Sequence, residues 1–176
     1  MATACDLDLR HYIRDIPDFP KPGILFRDIT PLLAAPQAFA LGIEKLAERF
    51  EHEPLDAIVA AEARGFIFAA PLAVRLRVGF VPIRKPGKLP ADKHSFDYAL
   101  EYGTDRLEMH MDGVRSGNRV LVVDDLLATG GTVEACCQLV ERAGATVAAC
   151  AFLIELLSLG GAAKIAPRTV FSLIQY

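Results

Sequence analysis

The stretch Val120–Thr132, VLVVDDLLATGGT, decides how this chain is read. It lies at the end of Arg119–Val123, a β-branched and leucine run of the kind buried on both faces of a parallel sheet. Such a strand delivers two carboxylates, Asp124 and Asp125, to its C-terminal end. The turn Ala128-Thr129-Gly130-Gly131-Thr132 then enters a helix predicted over 132–143. Glycines let backbone N–H groups converge, a helix N-terminus favours an anion, and two threonine hydroxyls can donate to it. No lysine follows the glycines as a Walker A loop requires, and the GxGxxG fingerprint of a dinucleotide fold is missing. Adjacent acids beside an anion nest make chemical sense if the ligand also carries hydroxyls. A ribose 5-phosphate would set its phosphate in the nest and its 2- and 3-hydroxyls against Asp124 and Asp125. The plain alternative is a capped helix after a strand, with the two acids as turn formers.

Outward from this segment the chain alternates strands with helices. Downstream, strands are predicted over 146–154 and 170–174. Upstream, Phe39, Ile43, Leu46 and Phe50 recur at steps of three and four, which predicts an amphipathic helix over 36–50. The apolar run 57–61 leads through Glu62-Ala63-Arg64-Gly65 into a helix over 66–77, and the run 78–83 ends in Arg84-Lys85-Pro86-Gly87-Lys88. Residues 86–98 show turn formers and mixed charge without a period and read as a mobile loop, followed by a short strand over 107–111. Prolines at 17, 20, 22 and 31 with Gly23 exclude a regular helix across 13–33. That segment reads as extended but ordered, because Ile16, Phe19, Ile24, Leu25 and Phe26 give it something to bury. The alternation indicates an α/β fold with a mainly parallel sheet, whose ligands bind in the loops at the carboxyl ends of the strands.

Composition narrows the function classes. The 176 residues, 52% hydrophobic and 23% charged, suit one ordinary domain with a proper core. A formal charge of −3 argues against a general nucleic-acid binder. The opening MATACDLDLR has acids where a signal peptide needs a basic region. The apolar stretch 143–163 is interrupted by Thr146, Glu155 and Ser158 and broken by Gly160-Gly161. A charge near the centre of a membrane span costs about 2.5–3.5 kcal/mol, so a buried strand running into a loop is expected there, with no membrane partner. Cys5, Cys136, Cys137 and Cys150 form no CxxC and have no histidine pair at ligand spacing, so free thiols in a reducing cytosol are expected.

VLVVDDLLATGGT resembles the phosphoribosyl-pyrophosphate motif of the type I phosphoribosyltransferase family. IPDFPKPGILFRDITPLL at 16–33, ARGF at 63–66, IRKPGKLP at 83–90, LEYG at 100–103 and the FSLIQY ending are similar to the adenine branch of that family. The resemblance implies a type I phosphoribosyltransferase fold: a hood segment, 1–33, over the base site, and a core, 34–176, with a central mainly parallel sheet flanked by helices. It implies transfer of the phosphoribosyl group to adenine, yielding AMP and pyrophosphate in purine salvage, with Mg²⁺ carried on the substrate phosphates rather than held directly by the protein. Asp124 and Asp125 would hold ribose hydroxyls, and Ala128, Thr129, Gly130, Gly131 and Thr132 the 5-phosphate. Arg64, Arg84, Lys85 and Lys88 would neutralise pyrophosphate, Arg84 reaching the site of a neighbouring subunit in a homodimer. Glu101 would relay the purine proton. The main chain of Leu25 and Arg27 would read the adenine edge, between the faces of Phe26 and Leu156. A cytoplasmic enzyme is expected.

Each assignment has a bland competitor. Arg64 could be a surface arginine at a helix start, the cations 84–88 a solvated turn, Glu101 an exposed loop acid, and Phe26 and Leu156 plain core packing. His11, His52, His94 and His110 receive no role. A 6-oxopurine transferase would need a carbonyl-reading lysine in the base pocket. A regulator that only senses phosphoribosyl pyrophosphate would need a DNA-binding module ahead of the core. The hood sequence argues against the former, and the absence of spare length or a basic patch against the latter.

Overall fold

The computed structural model describes residues 7–99 and 104–176. At its centre lies a five-stranded sheet in the order β4-β3-β7-β8-β9, every neighbouring pair parallel. These strands are β3 (Ala57–Ala61), β4 (Gly79–Ile83), β7 (Arg119–Leu127), β8 (Thr146–Glu155) and β9 (Val170–Gln175). Parallel neighbours need crossovers, and helices supply them: α3 (Arg64–Leu76) follows β3, and α4 (Gly131–Arg142) follows β7. Helix α2 (Pro36–Phe50) precedes β3 and has the predicted bounds, its proline in the first turn, where a missing N–H costs nothing.

The period-two alternation of the strands sorts residues into two cores. Ile58, Ala60, Leu121 and Val123 pack with Leu46 and Phe50 of α2 and Phe68 and Leu72 of α3. Val59, Val120, Val122 and Phe152 pack with Val133, Cys136, Leu139 and Val140 of α4 on the other face. Strands buried on both faces are therefore apolar throughout, which is why the sequence shows runs rather than alternation.

The N-terminal strands β1 (Arg14–Pro17) and β2 (Leu25–Asp28) pair antiparallel as a separate two-stranded sheet. Helix α1 (Thr30–Ala34) follows at once, so the extended stretch expected over 13–33 gives way to helix at Thr30, with Pro31 tolerated in the first turn. Asp28 starts that helix: its carboxylate accepts the Thr30 N–H at 2.9 Å and the Arg14 guanidinium at 2.6 and 3.0 Å. Leu32 of α1 is buried in the same core as α2 and α3, so α1 spans the expected hood–core boundary at 33/34.

Two further expectations need correction. The stretch 86–98 is not a loop throughout: Lys93–Ala99 is strand β5, paired antiparallel with β6 (Thr104–His110). Phe96 and Tyr98 pack inward on the α4 side, while the positions between and before them carry Lys93, Ser95 and Asp97, so the pattern is legible only once a partner strand is present. Arg106 closes the pairing by donating to Asp97 from Nε at 2.6 Å and Nη2 at 2.9 Å. Strand β7 also continues past Val123 to Leu127, because β8 runs alongside it, pairing Asp124 with Phe152 and Leu127 with Glu155. The two acids thus lie within the strand rather than beyond it. α5 (Gly161–Lys164) is a single short turn between β8 and β9.

Candidate active site

Carboxyl-end loops of β3 and β7 meet in one cleft of about 520 Å³ lined by Arg64, Asp124, Asp125, Ala128–Thr132 and Lys164. Asp124 is half-buried on its wall and Asp125 buried. Asp124 Oδ1 accepts the Asp125 N–H at 2.9 Å. Burial, then the adjacent Asp125 charge, pushes the Asp124 carboxyl well above the usual carboxylate range. Burial raises Asp125 as well, opposed by the Arg64 guanidinium. Arg64 Nε lies 3.0 Å from Asp125 Oδ2, but its N–H is not directed at that oxygen, which keeps an unfilled acceptor site. A buried acceptor without a donor is costly and is suited to a ligand hydroxyl.

Below the acids the chain turns at Gly130, whose φ of +79° is left-handed and favours glycine. Gly131 then opens α4, so the first N–H groups of the helix point into the cleft mouth. Glu134 in the first turn of α4 would repel an anion, but Arg168 holds it at 2.7 Å. Gly65 lets the start of α3 approach β7: a Cβ there would lie 2.9 Å from Asp124 Oδ1 and 3.2 Å from the Val123 carbonyl oxygen. The Glu62–Ala63 peptide before it is cis.

A second, apolar pocket of about 510 Å³ adjoins this cleft, lined by Ile16, Phe19, Phe26, Ile29, Leu33 and Ile67 with Arg64, which the two share. Phe19 and Phe26 stack edge to face with centroids 5.1 Å apart. Alternation along β2 sends Phe26 and Asp28 into this pocket and Arg27 to the opposite side. There Arg27 pairs with Asp15 and covers the Tyr176 ring at 3.7 Å, so Tyr176 braces β2. Leu25 is exposed, and Leu156 packs against the α2–α3 core. A third cleft of about 490 Å³, between Leu7–Arg10 and Phe171–Ile174, contains neither the acid pair nor the glycine turn.

The basic turn stands off the cleft. Glu62 clamps it, accepting Arg84 Nε at 2.9 Å and the Lys85 N–H at 2.6 Å. Burial would raise the Glu62 carboxyl, yet these bonds and the Arg84 charge hold it below its usual value. Lys85 Nζ lies 3.3 Å from Asp105, and Lys88 is exposed. Of the sequence-predicted residues, then, Arg64, Asp124, Asp125 and Ala128–Thr132 converge, and Phe26 borders them. The side chains of Leu25, Arg27, Arg84, Lys85, Lys88 and Leu156 lie off the cleft walls, and Glu101 lies outside the described residues. Sequence reasoning missed Lys164, for which the only signal was the Gly160-Gly161 pair, read there merely as a break in an apolar run.

A family model described as a phosphoribosyl transferase domain matches residues 28–175. The chain belongs to this phosphoribosyltransferase family, with a type I fold. It is 61% identical over 170 residues to an adenine phosphoribosyltransferase of Rhodopirellula baltica, covering 97% of this chain and 82% of that one. The crystal structure of the adenine phosphoribosyltransferase of Thermoanaerobacter pseudethanolicus superposes with a TM-score of 0.93 at 54% identity, covering 99% of this chain and 100% of that one. The Saccharomyces cerevisiae enzyme, solved with an imino-altritol bisphosphate and adenine, gives a TM-score of 0.88 at 40% identity over 94% of this chain and 96% of that one. Within the family, the chain belongs to the adenine phosphoribosyltransferases.

Proposed function

We propose that the cleft binds 5-phosphoribosyl 1-pyrophosphate and transfers its phosphoribosyl group to adenine, releasing AMP and pyrophosphate. The observation that carries this is the convergence of an under-satisfied acid pair with a glycine-threonine turn at a helix N-terminus. Asp124 and Asp125 accept the ribose 2- and 3-hydroxyls, and the backbone and hydroxyls of Ala128–Thr132 take the 5-phosphate. Arg64 leaves the acids for the pyrophosphate when substrate enters. Adenine occupies the apolar pocket against Phe26, its edge read by the main chain of Leu25 and Arg27. Among the described residues no group of three or more His, Cys, Asp or Glu could hold a metal ion. Mg²⁺ would enter carried on the substrate phosphates, where it would offset charge on the departing pyrophosphate.

Displacement builds positive charge on the ribosyl carbon and negative charge on pyrophosphate. Arg84, Lys85 and Lys88 stabilise the latter. In its own chain Arg84 pairs with Glu62; in the proposed homodimer it leaves that partner and completes the neighbouring site. Glu101 accepts the proton that the purine must shed when its ring nitrogen attacks. The cytoplasm is the proposed compartment. The unbridged buried thiols of Cys137 and Cys150, with sulfurs 3.7 Å apart, support it, and none of the described helices is long and apolar enough to cross a membrane.

Turnover with each nucleobase tests the assignment. Adenine should be converted, while hypoxanthine and guanine should react at least ~100-fold more slowly, because a 6-oxo group leaves buried polar groups mismatched. Comparable turnover of hypoxanthine would overturn the base assignment.

A further inference from the structure

Lys164 reaches the cleft from a part of the chain that the strand–acid–glycine motif does not contain. Two glycine pairs bring it there. Gly160 is left-handed with φ +66°, and a Cβ on Gly161 would collide with the Ala128 carbonyl oxygen and lie 2.9 Å from Leu127 Cδ1. Reciprocally, a Cβ on Gly130 would lie 2.8 Å from the Gly161 carbonyl oxygen. The turn carrying α5 and the turn opening α4 thus pack backbone against backbone. Lys164 Nζ comes to 3.9 Å from where a Cβ on Gly131 would stand, over the first residue of α4.

The charges around it are already spoken for. Arg64 sits against Asp125 at 3.0 Å, and Arg168 is held by Glu134 and Glu141. Among the described residues lining the cleft, Lys164 is the cation without an acidic partner. The turn 128–132 offers an anion N–H groups and hydroxyls but no net charge, while Asp124 and Asp125 beside it are anionic. A dianionic phosphate ester would therefore enter a field unfavourable to it unless a cation stood on the opposite wall.

We infer that Lys164 binds the 5-phosphate of substrate and product and makes the site prefer a phosphorylated ribose to an unphosphorylated one. The inference rests on the assignment of the 5-phosphate to Ala128–Thr132. Lysine suits the role because a point charge on a flexible stem follows the phosphate without demanding one geometry.

The experiment is calorimetry with AMP and with adenosine, which lacks the phosphate, on the wild type, Lys164→Met, Lys164→Arg and Thr132→Ala. Lys164→Met should bind AMP about tenfold more weakly, as for one lost charge-assisted hydrogen bond. Its adenosine affinity and melting temperature should stay at wild-type values, and its AMP affinity should depend less on salt. Lys164→Arg should keep most of the affinity. In turnover, KM for phosphoribosyl pyrophosphate should rise in Lys164→Met with kcat little changed. Wild-type AMP binding by Lys164→Met, with Thr132→Ala weakened, would overturn the role of Lys164 and leave the phosphate assignment standing. Wild-type binding by both variants would overturn the phosphate assignment itself. Equal weakening toward AMP and adenosine would reduce Lys164 to a structural residue and overturn the inference.

Discussion

Gly130 and Gly131 are neighbours in the same turn, and replacing each by alanine should have opposite consequences for the fold. At Gly131 an added Cβ meets only Lys164 Nζ at 3.9 Å and Tyr98 Cδ2 at 4.0 Å, both ordinary contacts. The residue opens α4 with helical backbone, so alanine there stabilises the chain by about 0.4–1 kcal/mol through the unfolded state. At Gly130 the φ of +79° makes alanine cost roughly 1–2 kcal/mol. The 2.8 Å approach to the Gly161 carbonyl oxygen adds about 1–3 kcal/mol of overpacking, since it is met by backbone that cannot swing aside. For a chain of this size about 1 kcal/mol moves the melting temperature by roughly 2–4 °C. Gly130→Ala should therefore melt at least ~4 °C lower, and Gly131→Ala at or slightly above the wild type. The same Gly131 methyl projects into the cleft mouth where a phosphate oxygen must approach the N–H groups. Loss of one charge-assisted hydrogen bond, about 1.5–3 kcal/mol, should weaken AMP at least tenfold. Thermal melts without ligand and calorimetry with AMP read the two effects separately. A Gly131→Ala protein that melts several degrees low, or binds AMP as the wild type does, would refute the reasoning.

The acid pair makes a pH-dependent prediction. Because burial raises the folded-state values of Asp124 and Asp125, the unfolded chain releases these protons first as pH rises, and the native state pays a cost that is absent in acid and complete above the raised values. Asp124→Asn should thus be more stable than the wild type in urea at neutral pH, with the gap closing toward pH ~4; a gap that widens in acid would contradict the assigned burial. Glu101→Leu should lose about 10²–10⁴-fold in single-turnover rate with AMP affinity unchanged, and Glu101→Gln should fall between; wild-type rates would remove the proton-relay role. Mixing Arg84→Ala chains with Gly131→Val chains, whose larger side chain blocks the phosphate turn, should restore activity in heterodimers, where one site combines an intact turn with an intact arginine. No recovery in proven mixed dimers would confine Arg84 to its own subunit.

What the sequence determined by itself was whatever is contiguous. Asp124, Asp125 and the turn 128–132 occupy one short segment, so strand, turn and helix start can be read from local preferences without knowing their neighbours. Helix α2 is legible for the same reason, its apolar period being complete within its own length. Tertiary structure decided everything that depends on a partner. Strand β7 carries its acids inside the sheet because β8 extends beside them, and β5 exists as a strand because β6 supplies its hydrogen bonds. Arg27, next in sequence to Phe26 of the apolar pocket and followed there by Asp28, is drawn aside by Asp15 and Tyr176, and Arg84, immediately after β4, by Glu62. Lys164, remote in sequence, arrives at the cleft because Gly130 and Gly161 lack side chains and their backbones can touch. Propensity and periodicity are properties of neighbours along the chain, whereas the direction of a long charged side chain is set by which opposite charge or ring the fold happens to bring within reach.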